Sequence, residues 1–176
     1  QRRAASAIVV VPPGPTRAYS THLASQAPSH RRPQVEARRD YISRAPYEGG
    51  PLDGPHPRPT EAAFDWTEGL EFAPAPRSAI LAGDLNCRPT SEEYAHLCGD
   101  PHPKHGRTRH YDQLVDSWVT AGNGEEGVST LYNRDGDYKI DHVLTTDDLA
   151  PKVTKSWVAT DEIASDHYPV FVEFDL

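Results

Sequence analysis

Methionine is absent from the 176 residues, and cysteine occurs only twice, at Cys87 and Cys98. That count excludes a disulfide-stapled scaffold and a cysteine-based zinc site. Two free thiols in a reducing compartment are the natural reading, which favours the cytoplasm over secretion; a single bridge is the alternative. A chain that opens on Gln1 reads as processed or as a fragment. No stretch approaches the ~20 apolar residues of a membrane helix, and the start lacks a signal-peptide pattern, because Pro12 and Pro13 cut the first apolar run short. Basic charge is scarce: 18 Lys and Arg, of which only 4 are Lys, stand against 26 Asp and Glu, for a net charge of -8. An overall nucleic-acid-binding charge pattern is thereby excluded, while a local basic stripe stays open. Dense apolar runs at Ala7–Val11, Ala79–Leu81, Ile140–Leu144 and Val170–Phe174 exclude a disordered chain. The length suits a single domain, 1–176, with a core of its own.

Regular elements follow from pattern. Ala7–Val11 and Arg17–Leu23 predict a hairpin around the Pro12–Pro15 turn. Residues 33–43 predict a helix with Val35, Arg38, Arg39 and Ile42 about one turn apart. Its arginines read as a solvated face, with phosphate contact as the alternative. Residues 44–78 hold seven of the 17 prolines and several glycines, which predicts a long extended insertion without a long helix or central strand. Phe64, Trp66 and Phe72 suggest that its second half packs on the body. Residues 78–85 predict a strand. Thr90-Ser91-Glu92-Glu93 predicts a capped helix start, with Tyr94, Leu97 and Cys98 facing inward. Residues 111–121 predict an amphipathic helix closed by Gly122. Strands are expected at 138–145, 153–159 and 168–175. The class is mixed α/β or α+β.

Four stretches set Asp, Asn or His at the end of an apolar strand, where a side chain leaves the core. They are Ser20-Thr21-His22-Leu23, Gly83-Asp84-Leu85-Asn86, Lys139-Ile140-Asp141-His142-Val143 and Ala164-Ser165-Asp166-His167-Tyr168-Pro169-Val170. Each alone is weak. Gly83-Asp84-Leu85-Asn86 is also an ordinary turn signal, His22 alone is an ordinary surface or core histidine, and Asp141-His142 alone says little. A second histidine group, His96, His102, His105 and His110, sits among Pro, Gly and Arg and reads as a solvated loop.

Taken in order, the four stretches resemble the endonuclease/exonuclease/phosphatase superfamily, which has a deoxyribonuclease-I-like fold. The resemblance runs from about Ala7 to Leu176, with residues 44–78 as an insertion. It implies a sandwich of two mixed β-sheets flanked by helices, with the four strand ends meeting at one edge. It also implies a metal-dependent phosphoesterase acting on nucleic acid, a phospholipid headgroup or a small phosphodiester. The expected catalytic residues are His22, Asp84, Asn86, Asp141, Asp166 and His167. His167 shuttles a proton, since imidazole titrates near neutrality, and Asp166 cooperates with it. Asp84 orients or deprotonates the water, Asn86 donates to a phosphoryl oxygen, and His22 is a second donor. Asp84, Asn86, Asp141 and Asp166 form the expected metal-facing set. Carboxylates that crowd a phosphate call for a hard cation, Mg2+ or Mn2+.

One departure stands out. The superfamily carries an Asn and a metal-binding Glu on strands well before the histidine that His22 matches. Here 21 residues precede His22, and the first acidic residue is Glu36. The expectation is an N-terminally truncated chain lacking part of the first sheet, with the remaining N-terminal half as a partner. The alternative is a non-catalytic phosphate-binding or structural domain of the same fold with an incomplete metal site.

Overall fold

The computed structural model describes residues 4–12, 14–48, 76–162 and 164–176. The chain opens with an antiparallel hairpin, β1 (Ala4–Val11) and β2 (Gly14–His22), as its apolar runs and intervening prolines predict. Helix α1 (Pro28–Glu48) follows, then β3 (Ala79–Asp84) and α2 (Glu92–Cys98). A small hairpin, β4 (Asp100–His102) and β5 (Gly106–Thr108), leads to β6 (Val115–Asp116) and the single-turn α3 (Ser117–Thr120). β7 (Asp141–Thr145), a 3-10 turn (Ala150–Lys152), β8 (Val153–Val158) and β9 (Val170–Phe174) complete the order. A mixed sheet runs β1-β2-β3-β7-β6, with β2 and β3 parallel and the other pairs antiparallel, and β8 and β9 form a second, two-stranded sheet. The class is mixed α/β, as expected. No helix among the described residues is long and apolar enough to cross a membrane.

Two helical expectations needed correction. α1 begins earlier than residue 33 and continues past 44 to Glu48, through Pro33 and Pro46. A proline inside a helix removes one N–H and frees the carbonyl four residues back. For Pro46 that carbonyl is Ile42, and the buried Arg17 takes it over, donating from Nη2 at 3.0 Å. An outside donor therefore replaces the lost helix bond, and the expected insertion loses its first residues to the helix. The rest of it, with Phe64, Trp66 and Phe72, lies outside the described residues. The expected helix over 111–121 is instead the edge strand β6 plus one helical turn. Val115 and Asp116 pair with Thr145 and Leu144 of β7. Asp116 then caps α3 by accepting the Trp118 N–H at 2.9 Å. Apolar spacing alone cannot separate these outcomes, because a free strand edge competes for the same residues. Gly122 still closes the turn, at φ 87°. The cap of α2 is Ser91 rather than Thr90, accepting from the Tyr94 N–H.

Four arginines of α1 stand in ion pairs, and Arg38 donates to Thr21 Oγ1. Buried Arg31 reaches Glu93 at 3.2 Å, Arg32 meets Glu36 and Glu92, Arg39 meets Asp112 and Arg44 meets Asp40. The solvated-surface reading of that helix therefore stands, with Arg31 as a buried exception.

One face of the main sheet packs under α1 and α2. Tyr19, Leu81 and Leu144 come from the strands, Val35 and Ile42 from α1, and Tyr94, Leu97 and Cys98 from α2. Alternation then sends the next residues to the opposite face. Two cross-strand rows result. Thr21, Gly83 and His142 align on the core side, and His22, Asp84 and Asp141 align on the other. Gly83 makes this register possible. Its φ is +139°, and a Cβ there would sit 1.9 Å from the Thr21 carbonyl oxygen.

Beneath the sheet lies a charged pair. Lys139 is 1% exposed, and its ammonium reaches Asp116 Oδ2 at 2.8 Å. The Tyr94 hydroxyl donates to the same oxygen at 2.7 Å. Burial alone would raise the Asp116 pKa, but the Lys139 charge outweighs it and holds the carboxyl well below the usual range.

Two stability outcomes follow. Gly83→Ala places a side chain where φ alone costs about 1–3 kcal/mol and adds the overlap with Thr21; urea unfolding should show a large drop in midpoint, and an unchanged midpoint contradicts the register. Lys139→Met strands a buried carboxylate and should cost about 3–5 kcal/mol. Adding Asp116→Leu should recover most of that loss, and a double variant no more stable than Lys139→Met contradicts the pairing.

Candidate active site

The row His22–Asp84–Asp141 ends the β2, β3 and β7 ladder. Neighbouring strands are about 4.8 Å apart, so the three side chains emerge side by side. His22 Nε2 lies 3.2 Å from Asp84 Oδ2, with the imidazole 58% exposed and the carboxylate 15% exposed. Beyond β3 the chain turns sharply. Asn86 sits at φ 50°, a left-handed conformation that Asn tolerates better than most residues. That turn folds Asn86 back on Asp84: its backbone N–H donates to Oδ1 at 2.8 Å and its side-chain amide to Oδ2 at 2.9 Å. The same amide nitrogen donates to the Leu23 carbonyl at 3.0 Å. Both amide protons are thereby committed, so Asn86 orients Asp84 here rather than presenting a donor to a substrate oxygen.

His167 arrives from the segment before β9. Its Nδ1 lies 2.8 Å from Asp141 Oδ2. Because a carboxylate only accepts, Nδ1 carries the proton and Nε2 is the nitrogen left for chemistry. Asp166, expected to cooperate with His167, does not contact its ring: its carboxylate accepts from Ser165 Oγ at 3.2 Å. Asp166 lies in the bend just before the bridge at His167, and Asp141, at the start of β7, fills the place at the ring. Asp166 reaches His167 only through its charge. A cleft of about 300 Å3 opens here, lined by Gly83, Asp141, His167, Tyr168, Pro169 and Val170 among others.

The segment 128–132, which carried no signal in the sequence, aligns these parts. Thr130 Oγ1 accepts the N–H groups of Ile140 and Asp141 at 3.2 and 3.3 Å. Leu131 bridges to His167, Tyr132 N–H donates to the Asp166 carbonyl, and Tyr168 N–H donates to the Thr130 carbonyl. One short loop therefore fixes both partners of the His167–Asp141 pair. His142 was quoted only as a neighbour of Asp141, yet it is fully buried behind the site, with Nε2 2.9 Å from the Cys87 carbonyl oxygen.

The electrostatics oppose each other usefully. Burial, followed by the charge of Asp141, raises the Asp84 pKa, against the lowering effect of Asn86, His22 and His167. For His167, burial pulls downward, but the Asp141 hydrogen bond and the charges of Asp141, Asp84 and Asp166 outweigh it and raise the pKa. Strand register and hydrogen bonds set His22, Asp84, Asn86, Asp141 and His167 into one constellation, with Asp166 at its margin.

Asp84 and Asp141 offer hard oxygen donors, the chemistry that Mg2+ or Mn2+ prefers. Their number falls short. Among the described residues no group of three or more His, Cys, Asp or Glu side chains is arranged to hold a metal ion. Asp84, Asp141 and Asp166 with Asn86 therefore do not make a complete cation site by themselves. The second histidine group is no metal centre either: His102 and His105 stack with ring centroids 4.8 Å apart on the β4–β5 hairpin.

Comparison with known proteins agrees with this architecture. No curated protein sequence matches the chain. Among solved structures, an endonuclease/exonuclease/phosphatase from Beutenbergia cavernae DSM 12333 superposes with a TM-score of 0.58 at 19% identity, over 99% of this chain and 40% of that one. Humanized D. rerio TDP2 superposes with a TM-score of 0.60 at 18% identity, over 99% of this chain and 61% of that one. Truncated Caenorhabditis elegans TDP2 gives 0.53 at 19%, over 98% and 59%. The chain thus spans about two-fifths to three-fifths of the length of these structures. The model of the Endonuclease/Exonuclease/phosphatase family matches residues 4–167. With that match covering nearly all of the sequence, the chain belongs to the endonuclease/exonuclease/phosphatase family.

Proposed function

We propose that this cleft hydrolyses phosphate esters, with His167 as the proton carrier. The observation that carries the reading is the Asp141–His167 hydrogen bond set beside the raised carboxyl of Asp84. Asp141 fixes the imidazole tautomer, so Nε2 faces the reacting group and can protonate the departing oxygen. Asp84 in its ionised form orients or deprotonates the attacking water, and Asn86 holds Asp84 in place. His22, the most exposed member, supplies a donor to the phosphoryl oxygens. Family membership and the resemblance to two TDP2 structures support a phosphoesterase class.

Family members commonly use divalent metals. Magnesium or manganese is the cation that suits Asp84 and Asp141, and its chemistry there would be charge neutralisation at the phosphoryl oxygens. Two carboxylates make a weak site. At a free metal concentration equal to its Kd, the added stability is only about 0.4 kcal/mol.

The substrate class is nucleic acid, a phospholipid headgroup or a small phosphodiester. Two cations favour a substrate bearing further negative charge. Arg88, two residues past Asn86, and Arg134 lie 5.7 and 5.4 Å from the centre of the Tyr138 ring. Neither forms an ion pair with a described carboxylate, unlike Arg31, Arg32, Arg39 and Arg44 of α1.

Hydrolysis of bis-p-nitrophenyl phosphate, an oligonucleotide and a phospholipid, with and without Mg2+, tests the reading. His167→Ala should lower turnover by about 10²–10⁴-fold. The pH profile should be bell-shaped. The acidic limb follows Asp84, whose raised pKa moves loss of the base to higher pH than an ordinary carboxylate. The alkaline limb follows His167, whose raised pKa keeps the acid protonated beyond the ordinary histidine range. Asp141→Asn should pull that alkaline limb to lower pH, and an unmoved limb excludes His167 as the acid. A chain inactive on all three substrates under both conditions is a binding module of the same fold. Arg88→Ala and Arg134→Ala should raise KM and flatten the salt dependence of kcat/KM on a polyanionic substrate while sparing kcat; a fall in kcat alone contradicts a substrate-holding role.

A further inference from the structure

We propose that His142 is a positioning residue: from inside the core, it holds the Asn86 turn at a fixed height against the strand end that carries Asp141. Only the kinetic consequences rest on the phosphoesterase reading above.

His142 follows Asp141 on β7, so it points to the opposite face. Its side chain is 0% exposed and cannot meet a substrate. Its two nitrogens are nevertheless both engaged. Nε2 lies 2.9 Å from the Cys87 carbonyl oxygen, one residue beyond Asn86. Nδ1 lies 2.7 Å from Lys139 Nζ, its near partner, and 3.5 Å from Asp116 Oδ2. A carbonyl only accepts and an ammonium only donates, so the ring is the neutral Nε2–H tautomer. Lys139 is itself tied to Asp116, and Asp116 to Tyr94. The ring is therefore clamped from one side and clamps the turn on the other.

The turn needs such a hold. Asn86 occupies a left-handed conformation that costs energy for any residue with a Cβ. Its amides orient Asp84 only while that conformation lasts. The ladder ends at Leu85, whose N–H donates to the Ile140 carbonyl at 2.9 Å. Past that point the His142–Cys87 bond is the next tie from the turn to β7. A displacement of about 1 Å between Asn86 and Asp141 would misalign Asp84 against His167, and errors of that size are worth about 10²-fold in rate.

Two substitutions separate positioning from packing. In His142→Gln the amide nitrogen reaches the place of Nε2 and keeps the donor to Cys87. In His142→Asn the shorter side chain places its oxygen near Nδ1, keeps the Lys139 contact and loses Cys87. Both remove ring packing, so both should lower the Tm. Only His142→Asn should speed amide exchange at Asn86, by about tenfold relative to His142→Gln, with Tyr19 of β2 unchanged. In an active chain, His142→Asn should lower kcat by about 10²-fold with KM within about twofold, and His142→Gln should restore most of it. Equal Asn86 exchange in the two variants overturns the proposal, and so does an equal loss of kcat. If neither variant folds, the unsubstituted protein still decides. Long-range 1H–15N correlation should show the proton of His142 on Nε2, and a proton on Nδ1 overturns the proposal. A chain that hydrolyses nothing sinks the phosphoesterase reading alone, because exchange and tautomer need no activity.

Discussion

An ammonium buried to 1% exposure constrains everything around it. Lys139 would cost several kcal/mol unpaired, so the fold must bring a carboxylate and further polar groups to it. Asp116 comes from β6, Tyr94 from α2 and His142 from β7, and His142 passes the linkage on to the turn after β3. Four separate segments meet at this point. Two of them, the start of β7 and the turn after β3, carry Asp141 and Asn86. The geometry of the exposed cleft is therefore inherited from a charge beneath the sheet. A buried ion pair is weak evidence for net stability; here its consequence is that these segments have one relative placement.

The β2–β3–β7 ladder presents different chemistry on its two faces. On the core side, Thr21, Gly83 and His142 align, and Gly83 gives the close backbone approach. On the cleft side, His22, Asp84 and Asp141 align in the same register. The histidines next to this boundary are pushed in opposite directions. His142, enclosed and beside Lys139, is held neutral, while His167, partly exposed and beside three carboxylates, is pushed toward the charged form. The same side chain is an enclosed donor in one place and a partly exposed, carboxylate-bound imidazole in the other.

Arginine does similar double duty. Arg17 replaces the helix bond lost at Pro46, and Arg31 pairs with Glu93 inside the core. In an acidic chain most cations are absorbed in this way. Arg88 and Arg134 instead lie over the Tyr138 ring.

Strand ends, the hairpin and the inward face of α2 were legible in the sequence, because apolar runs, prolines and caps act over a few residues. The four polar stretches in order pointed to the family for the same reason. Each candidate residue sits in or within a few positions of a strand that its own neighbours specify. What those residues touch was not legible. Asp166 stands next to His167 in the chain, yet Asp141, 26 positions away, holds the imidazole, because the bridge from Leu131 to His167 brings a distant segment to the end of β7. The helix expected at 111–121 became a strand edge for a related reason: β7 offered unpaired backbone groups that no local pattern reveals. Neither Lys139 nor Thr130 carried a signal of its own in the sequence. Local propensity and order determined the elements and the family; the pairing of β2, β3 and β7, with the 128–132 segment that ties His167 to Asp141, decided which side chains share the site, since hydrogen bonds between distant segments act across the fold and leave no trace in the spacing of any one segment.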